Sequence, residues 1–169
     1  MQQGYMLDTN VFNYLLKEIQ LPKICHSALL LATHIQMDEI AATKDCEKKA
    51  HLTRVFEEVN PEREATASFV LGVSRLDKAC LGRENGRYDE MLNLLKGLDL
   101  IAKKKSRNPY NQHMDILIAE TAMQRRATLV SNDVSLQQVM NKFGGYAMDA
   151  ASFWKVVALQ LIPEHKSGD

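Results

Sequence analysis

Short apolar segments alternate with segments of helical periodicity along most of this chain, and that alternation restricts its fold more than any other feature. Residues 5–7 form an apolar piece, and apolar side chains then recur at helical spacing from Val11 to Ile19. Strands that alternate with helices pair in parallel, because each helix returns the chain to the same edge of the sheet. The sequence therefore predicts an α/β fold, namely a three-layer α/β/α sandwich with a central, mostly parallel sheet.

The same reasoning places the other elements. Thr9 or Asn10 is expected to cap the first helix, and Asp149 to cap the last one, which runs through Phe153, Trp154 and Leu161. The further strands are predicted at residues 33–36, 67–73, 128–131 and 146–148. The further helices are predicted at residues 37–42, 46–59, 76–81, 88–101, 113–126 and 136–143.

The size and composition of the chain indicate one domain. It has 169 residues, of which 46% are hydrophobic and 25% charged, so it can bury a core without disulfides or a structural metal. We expect a domain over residues 1–162 and a tail over 163–169. Cys25, Cys46 and Cys80 are odd in number and lack Cys-x-x-Cys spacing, so we expect reduced, buried cysteines in a cytoplasmic protein.

The hydropathy and charge of the chain limit how it can bind a membrane or a nucleic acid. No run of about 18 uncharged apolar residues is present, so no membrane span is predicted. Lys plus Arg equals Asp plus Glu at 21 each, so no overall positive field draws the protein to a polyanion. Binding to a nucleic acid would therefore need a local basic patch.

Four carboxylates occupy special places in this layout. Asp8 and Asp133 follow predicted strands, Glu39 lies in the helix after the second strand, and Asp115 lies at the start of a later helix. Ligands of open parallel sheets bind beyond the carboxyl ends of the strands. Two carboxylates 4 Å apart repel by about 4 kcal/mol at an effective dielectric of 20, so a cation is expected among them. An oxygen-only donor set suits Mg²⁺ or Mn²⁺, and such an ion promotes hydrolysis of phosphodiesters.

Each acid also has a purely structural interpretation. Asp8 and Asp133 are suited to cap helices, Asp115 to be a favourable first-turn charge, and Glu39 to be a solvated helical residue. Capping is met equally well by Ser or Thr, however, whereas all four positions carry carboxylates. The joint pattern therefore favours a shared acidic site.

Four segments of the chain resemble, in order, the motifs of the PIN domain, a compact α/β/α nuclease fold. They are Leu-Asp-Thr-Asn-Val-Phe at residues 7–12, Ile-Gln-Met-Asp-Glu-Ile at 35–40, Met-Asp-Ile-Leu-Ile-Ala-Glu-Thr-Ala at 114–122, and Leu-Val-Ser-Asn-Asp-Val-Ser-Leu at 129–136. The family usually has Thr where Ser131 stands, and residues 67–105 are longer than in a minimal toxin of this family.

The resemblance implies a specific activity and site. PIN domains are typically Mg²⁺- or Mn²⁺-dependent ribonucleases, in which a metal-activated water attacks a phosphodiester and leaves a 5′-phosphate and a 3′-hydroxyl. It implies Asp8, Glu39, Asp115 and Asp133 as the catalytic and metal-binding acids. It further implies that Asn10 and Ser131 contact metal-bound water or phosphate.

The resemblance also implies partners. Many PIN domains are the toxin of a toxin–antitoxin pair and many are dimers, so the implied partners are an RNA substrate, an antitoxin protein and a second copy of the chain. The basic loop before Asp115 is a candidate RNA-binding rim, with an ordinary solvated loop as the alternative. Its residues are Lys103, Lys104, Lys105, Arg107 and Tyr110.

Two other functions compete with the ribonuclease. An aspartyl phosphatase or phosphotransferase also begins with an Asp after its first strand, but it needs a second Asp two residues later, where this chain has Asn10. A non-catalytic PIN-like module that binds RNA or a protein remains the alternative. His34 and His113 flank the acids and are interpreted as structural histidines, and Asp38 is placed outside the acid cluster.

Overall fold

A parallel β-sheet divides the molecule into two helical layers. The computed structural model describes residues 3–16, 28–80, 87–102 and 108–160, and within them five strands pair in the order β3-β2-β1-β4-β5. The strands are β1 (Gly4–Leu7), β2 (Leu29–Thr33), β3 (Glu62–Glu64), β4 (Thr128–Val130) and β5 (Tyr146–Met148). All four pairings are parallel, and Met6 of the central strand lies level with Leu31 and Leu129.

The helices of the described residues follow the strands along the chain. They are α1 (Thr9–Leu15), α2 (His34–Ala41), α3 (Cys46–Val59), α4 (Arg87–Ile101), α5 (Pro109–Gln124), α6 (Val134–Lys142) and α7 (Ala150–Gln160). A single 3₁₀ turn, Leu76–Lys78, lies between β3 and α4. None of the described helices is long and apolar enough to span a membrane.

Two apolar clusters fill the space on either side of the sheet. Successive side chains of a strand point to opposite faces, so Tyr5 and Leu7 join one cluster and Met6 joins the other. The first cluster is completed by α1, α3 and α7, and contains the buried rings of Phe12, Phe56 and Phe153. The second is completed by α4, α5 and α6. The predicted three-layer α/β/α sandwich is therefore confirmed.

The stretch after α3 is where the sequence prediction was wrong. Residues 67–73 were expected to form a strand, but they form bends and turns, and the third strand is Glu62–Glu64 instead. Ala67 is fully buried, and Val70 and Val73 pack against the second cluster, so their apolar character serves packing rather than pairing. The helix expected from residue 76 is reduced to the 3₁₀ turn.

Several boundaries also differ from the prediction. The second strand was predicted at residues 33–36 and the helix after it at 37–42, but the strand is Leu29–Thr33 and α2 begins at His34. The prediction started α5 at His113, but the helix begins at Pro109, because Asn108 caps it by accepting a hydrogen bond from the Tyr110 N–H at 3.0 Å. Proline is well suited to the first turn of a helix, where its missing N–H is not needed.

The prediction of buried cysteines was also wrong. Cys46 opens α3 and is exposed, and Cys80, at the end of the loop that begins at Thr66, is exposed as well. Both lie at the ends of local structures rather than on an inward-facing side. Cys25 and the predicted 163–169 tail lie outside the described residues.

Asp45→Ala is expected to lower the free energy of unfolding by about 0.5–2 kcal/mol. The Asp45 carboxylate accepts a hydrogen bond from the Lys48 N–H at 3.0 Å and thereby caps α3, and alanine leaves that N–H without a protein partner. Urea denaturation followed by circular dichroism measures the change. Asp45→Asn keeps a capping oxygen and should stay close to the unsubstituted protein; equal losses in both variants would contradict the capping argument.

Candidate active site

The strand order reverses between β1 and β4. From β1 the chain moves outward through β2 to β3, and it then crosses to the other side of β1 to form β4 and β5. In open parallel sheets this change of direction opens a crevice beyond the carboxyl ends of the two strands, where ligands bind. Asp8 directly follows β1, and Ser131 directly follows β4.

Asp8 is a buried carboxylate held at the carboxyl end of β1, where the strand order reverses. Only 4% of the residue is exposed, and its Oδ2 accepts hydrogen bonds from Ser131 Oγ at 2.5 Å and from Asn10 Nδ2 at 2.5 Å. Asp8 stands at the N-cap position of α1, yet its side chain makes no capping hydrogen bond. The expectation that Thr9 or Asn10 caps α1 was therefore wrong, because α1 begins at Thr9 and both side chains bind acids instead.

Asn10 and Ser131 join the two strand ends. Asn10 donates to Ser131 Oγ at 3.2 Å and accepts from the Asn132 N–H at 3.0 Å. Ser131 Oγ also accepts from the Asp133 N–H at 3.1 Å, and Gln137 Nε2 donates to the Ser131 carbonyl at 2.5 Å. The structure thus places both predicted supporting residues in contact with Asp8, while their roles toward metal or phosphate stay predictions.

Glu39 is connected to the same turn through Thr9. It lies on α2 and is half-buried, and its Oε2 accepts a hydrogen bond from the hydroxyl of Thr9, the residue after Asp8. Its neighbour Asp38 instead forms an ion pair with Arg75 at 2.6 Å, so the sequence was right to set Asp38 apart. The solvated-helix interpretation of Glu39 is therefore wrong.

Asp133 caps α6. Its Oδ1 accepts from the N–H groups of Ser135 at 2.9 Å and Leu136 at 3.3 Å. The capping interpretation is therefore confirmed for this acid, and the cap uses one of its two carboxylate oxygens. Because Asp133 N–H also donates to Ser131 Oγ, the cap is tied to the hydroxyl that binds Asp8.

Asp115 is buried inside α5, with 6% of the residue exposed. Since α5 begins at Pro109, Asp115 is not a first-turn residue, and the helix-dipole interpretation is wrong. The helix packs against β1 and β4, the strands that directly precede Asp8 and Ser131. A buried carboxylate on such a helix is costly unless polar or charged groups surround it.

The four acids fit a hard cation in their chemistry, since they offer only oxygen atoms. Within the part of the chain that the structure describes, however, no three His, Cys, Asp or Glu side chains are arranged as a metal site. Asp8, Glu39 and Asp133 are joined through Thr9, Asn10 and Ser131 rather than directly. The metal-binding role of the acids thus stays a prediction.

The predicted RNA-binding rim is described only in part. Lys103, Lys104, Lys105 and Arg107 lie outside the described residues, and Tyr110 is 44% exposed on the first turn of α5. Close to it, the ring of His113 stacks on Tyr88 with centroids 6.0 Å apart, and His113 Nδ1 lies 2.5 Å from the Tyr88 hydroxyl. Burial, followed by Asp89 and Glu120, raises the pKa of Tyr88, so this hydroxyl stays protonated, and the structural role of His113 stays a prediction.

Sequence reasoning missed Thr9 and Gln36. Thr9 binds Glu39, and the fully buried Gln36 donates from Nε2 to the carbonyl of Leu7 at 2.7 Å. Gln36 also forms a capping box with Thr33 at the start of α2. The pattern Thr-x-x-Gln at residues 33–36 is a sequence signal for that box, and it would have placed the helix start correctly.

His34 is buried, and neither of its ring nitrogens has a hydrogen-bond partner among the described residues. Burial lowers its pKa from the ordinary value of 6.5, and the nearby Asp38 opposes this while Arg75 adds to it. The unfolded chain therefore binds a proton at pH values where folded His34 does not. The free energy of unfolding should fall as the pH drops below about 6.5.

His34→Gln is expected to weaken that pH dependence, because glutamine does not titrate. Urea unfolding at several pH values between about 5 and 8 measures it, with the exposed His51 replaced by glutamine as a control. An unchanged slope in His34→Gln, or an equal change in the control, would contradict the assignment to His34.

Comparison with solved structures agrees with the observed topology. The structure of PAE2754 from Pyrobaculum aerophilum aligns with a TM-score of 0.51 and 16% sequence identity, over 94% of this chain and 99% of that one. The chain has a PIN-like fold. At this level of identity the similarity shows the fold alone. That fold includes the parallel sheet and the strand order around β1.

Other similar structures are more distant. VapBC2 from Rickettsia felis, bound to a DNA fragment from its promoter, aligns with a TM-score of 0.43 and 16% identity, over 87% of this chain and 98% of that one. VapBC-5 from Mycobacterium tuberculosis, a member of the VapBC family of toxin-antitoxin systems, aligns with a TM-score of 0.41 and 16% identity, over 88% and 98%. No protein-family model matches the sequence, and no curated protein matches it either.

Proposed function

We propose that this PIN-like chain is a metal-dependent endoribonuclease that hydrolyses RNA phosphodiester bonds. The observation that carries the proposal is Asp8, a buried carboxylate at the crevice between β1 and β4 that caps no helix. A carboxylate taken out of water at a strand end has a cost that a purely structural role would not require. Its placement is that of a ligand-binding group.

The surrounding residues hold Asp8 ready to bind a cation. Asn10 and Ser131 donate to one oxygen of Asp8, which fixes the orientation of its carboxyl group. Thr9 holds Glu39 beside the same turn, and the cap of α6 holds Asp133 next to Ser131. Asp8, Glu39, Asp115 and Asp133 would hold Mg²⁺ or Mn²⁺, which when bound lowers the pKa of a water and stabilises charge on a phosphoryl oxygen.

The proposed partners follow from this chemistry and from the sequence resemblance. RNA is the substrate, and Tyr110 together with the basic residues 103–107 would contact its backbone and bases. An antitoxin that covers the acidic crevice and a second copy of the chain are the protein partners that a toxin role would require. The alternative is a non-catalytic PIN-like module that binds RNA or a protein.

Cleavage of a labelled, mixed RNA pool tests the proposal. The purified protein is incubated with Mn²⁺, with Mg²⁺, or with EDTA, alongside Asp8→Asn purified in the same way to reveal any contaminating nuclease. Cleavage that needs both the metal and Asp8, with 5′-phosphates on the products, is the expected result. Binding of RNA without cleavage, and without affinity for Mn²⁺ near millimolar concentration, would favour the module.

A further inference from the structure

We propose that Gln36 is a positioning residue that fixes Asp8 relative to Glu39. Gln36 lies on α2 and is fully buried, and its side-chain amide contacts the ends of two strands. Its Oε1 accepts from the N–H of Thr33 at 2.9 Å and from the hydroxyl of Thr33 at 2.7 Å, and its Nε2 donates to the carbonyl of Leu7 at 2.7 Å. One amide therefore joins β1, β2 and α2.

These contacts define the orientation of the amide. Two donors from Thr33 point at Oε1, and a carbonyl, which can only accept, faces Nε2. A flipped amide would place its NH₂ group against the Thr33 N–H and its oxygen against the Leu7 carbonyl. Buried polar groups that are fully paired in this way favour one arrangement of the elements they join.

The bond to Leu7 acts directly on Asp8. The carbonyl of Leu7 and the N–H of Asp8 belong to the same planar peptide group. Gln36 donates to the carbonyl of this peptide group, which is the carbonyl of Leu7. The N–H of the same group, which is that of Asp8, donates to the carbonyl of Val130 in β4 at 2.9 Å. This peptide group is therefore held on both sides, from α2 and from β4, immediately before the Asp8 side chain.

The same residue also acts on Glu39. Gln36 and Glu39 are three residues apart on α2 and lie on neighbouring positions of one helix face. A helix anchored to β1 by Gln36 keeps Glu39 close to the turn that carries Asp8 and Thr9. Residues that support metal ligands fix the ligands in this way, and the loss of such a supporting residue typically weakens metal affinity or activity by about 10–100-fold.

Two variants separate the bond to Leu7 from the helix cap. Gln36→Glu still accepts from Thr33 but cannot donate from a carboxylate to Leu7, whereas Thr33→Val removes the Thr33 hydroxyl and keeps the bond between Gln36 and Leu7. Gln36→Met removes both contacts at similar volume and is measured alongside Gln36→Glu, because a buried glutamic acid that takes up a proton can still donate to Leu7.

Two readouts follow the position of Asp8. Amide hydrogen exchange measured by NMR reports on the Asp8 N–H without any metal or substrate, and it should be about tenfold faster in Gln36→Glu or Gln36→Met than in Thr33→Val. Titration with Mn²⁺ should give an affinity about 10–100-fold weaker in the Gln36 variants, with little change in Thr33→Val.

The second readout rests on the proposed function, and the first does not. A protein that binds no Mn²⁺ but shows faster Asp8 exchange only in the Gln36 variants would contradict the nuclease and support the positioning role. Equal Asp8 exchange in all three variants, or an equal loss of affinity in Thr33→Val, would overturn the role of Gln36 and reduce it to a helix cap.

Discussion

Asp8→Asn is expected to abolish metal-dependent cleavage of RNA, with a rate lower by more than about 100-fold, and to leave the protein folded. Asparagine has nearly the same volume, and its Oδ1 can still accept from Ser131 and Asn10, as the carboxylate Oδ2 does now. What disappears is a buried negative charge. Since burial of a charge carries a desolvation cost that asparagine does not have, the midpoint of thermal unfolding should stay the same or rise.

A matched substitution on the same edge of the sheet controls for the loss of any carboxylate. Asp149 follows β5 and caps α7 through the Ser152 N–H at 2.7 Å, a bond that lowers the pKa of Asp149. Asp149→Asn keeps a capping oxygen, so it should stay close to the unsubstituted protein in stability and retain cleavage. The nuclease would be refuted by Asp8→Asn protein that cuts RNA at the rate of the unsubstituted protein, or by equal losses in both variants.

Phe12→Ala is expected to lower the free energy of unfolding by about 3–5 kcal/mol. The ring is fully buried in the first apolar cluster and lies 5.1 Å from the ring of Phe56, centroid to centroid. Its removal takes away apolar contacts of α1 with α3 and leaves a cavity. Phe12 also belongs to the helix that carries Thr9 and Asn10, so the loss should loosen the site as well.

Urea denaturation at neutral pH measures this change, with Leu71→Ala as the control. Leu71 is 89% exposed, so its truncation should change stability by less than about 0.5 kcal/mol. A loss below about 1 kcal/mol in Phe12→Ala would mean that α1 is not anchored by this ring.

The sequence predicted those elements whose local pattern and tertiary environment agree. The helix at Cys46–Val59 and the strand at Tyr146–Met148 were placed at their observed bounds, since each pattern has clear ends in the sequence. The strand Glu62–Glu64 was missed because its letters, Glu-Arg-Glu, are those of an exposed segment. Pairing with β2 at the edge of the sheet makes it a strand, and that pairing is not a local property.

Within the candidate site, the sequence could predict where Asp8 and Asp133 lie but not which residues connect the acids. Asp8 and Asp133 could be placed at strand ends because strand and turn signals precede them in the sequence. Burial of Asp115 and the contact between Thr9 and Glu39 could not, because they depend on how α5 and α2 pack against the sheet. Tertiary packing of this kind brings together residues that lie too far apart in the sequence for a local pattern to connect them.

The central position of β1 limits the order in which the domain can fold. Tyr5 pairs on one side with Leu30 but on the other with Thr128, so one edge of β1 stays uncovered until the much later strand β4 has formed. Contacts between such distant segments form slowly during folding. Because Ser131 directly follows β4, the surroundings of Asp8 are complete only once β4 has paired with β1, and any activity that depends on Asp8 arises only then.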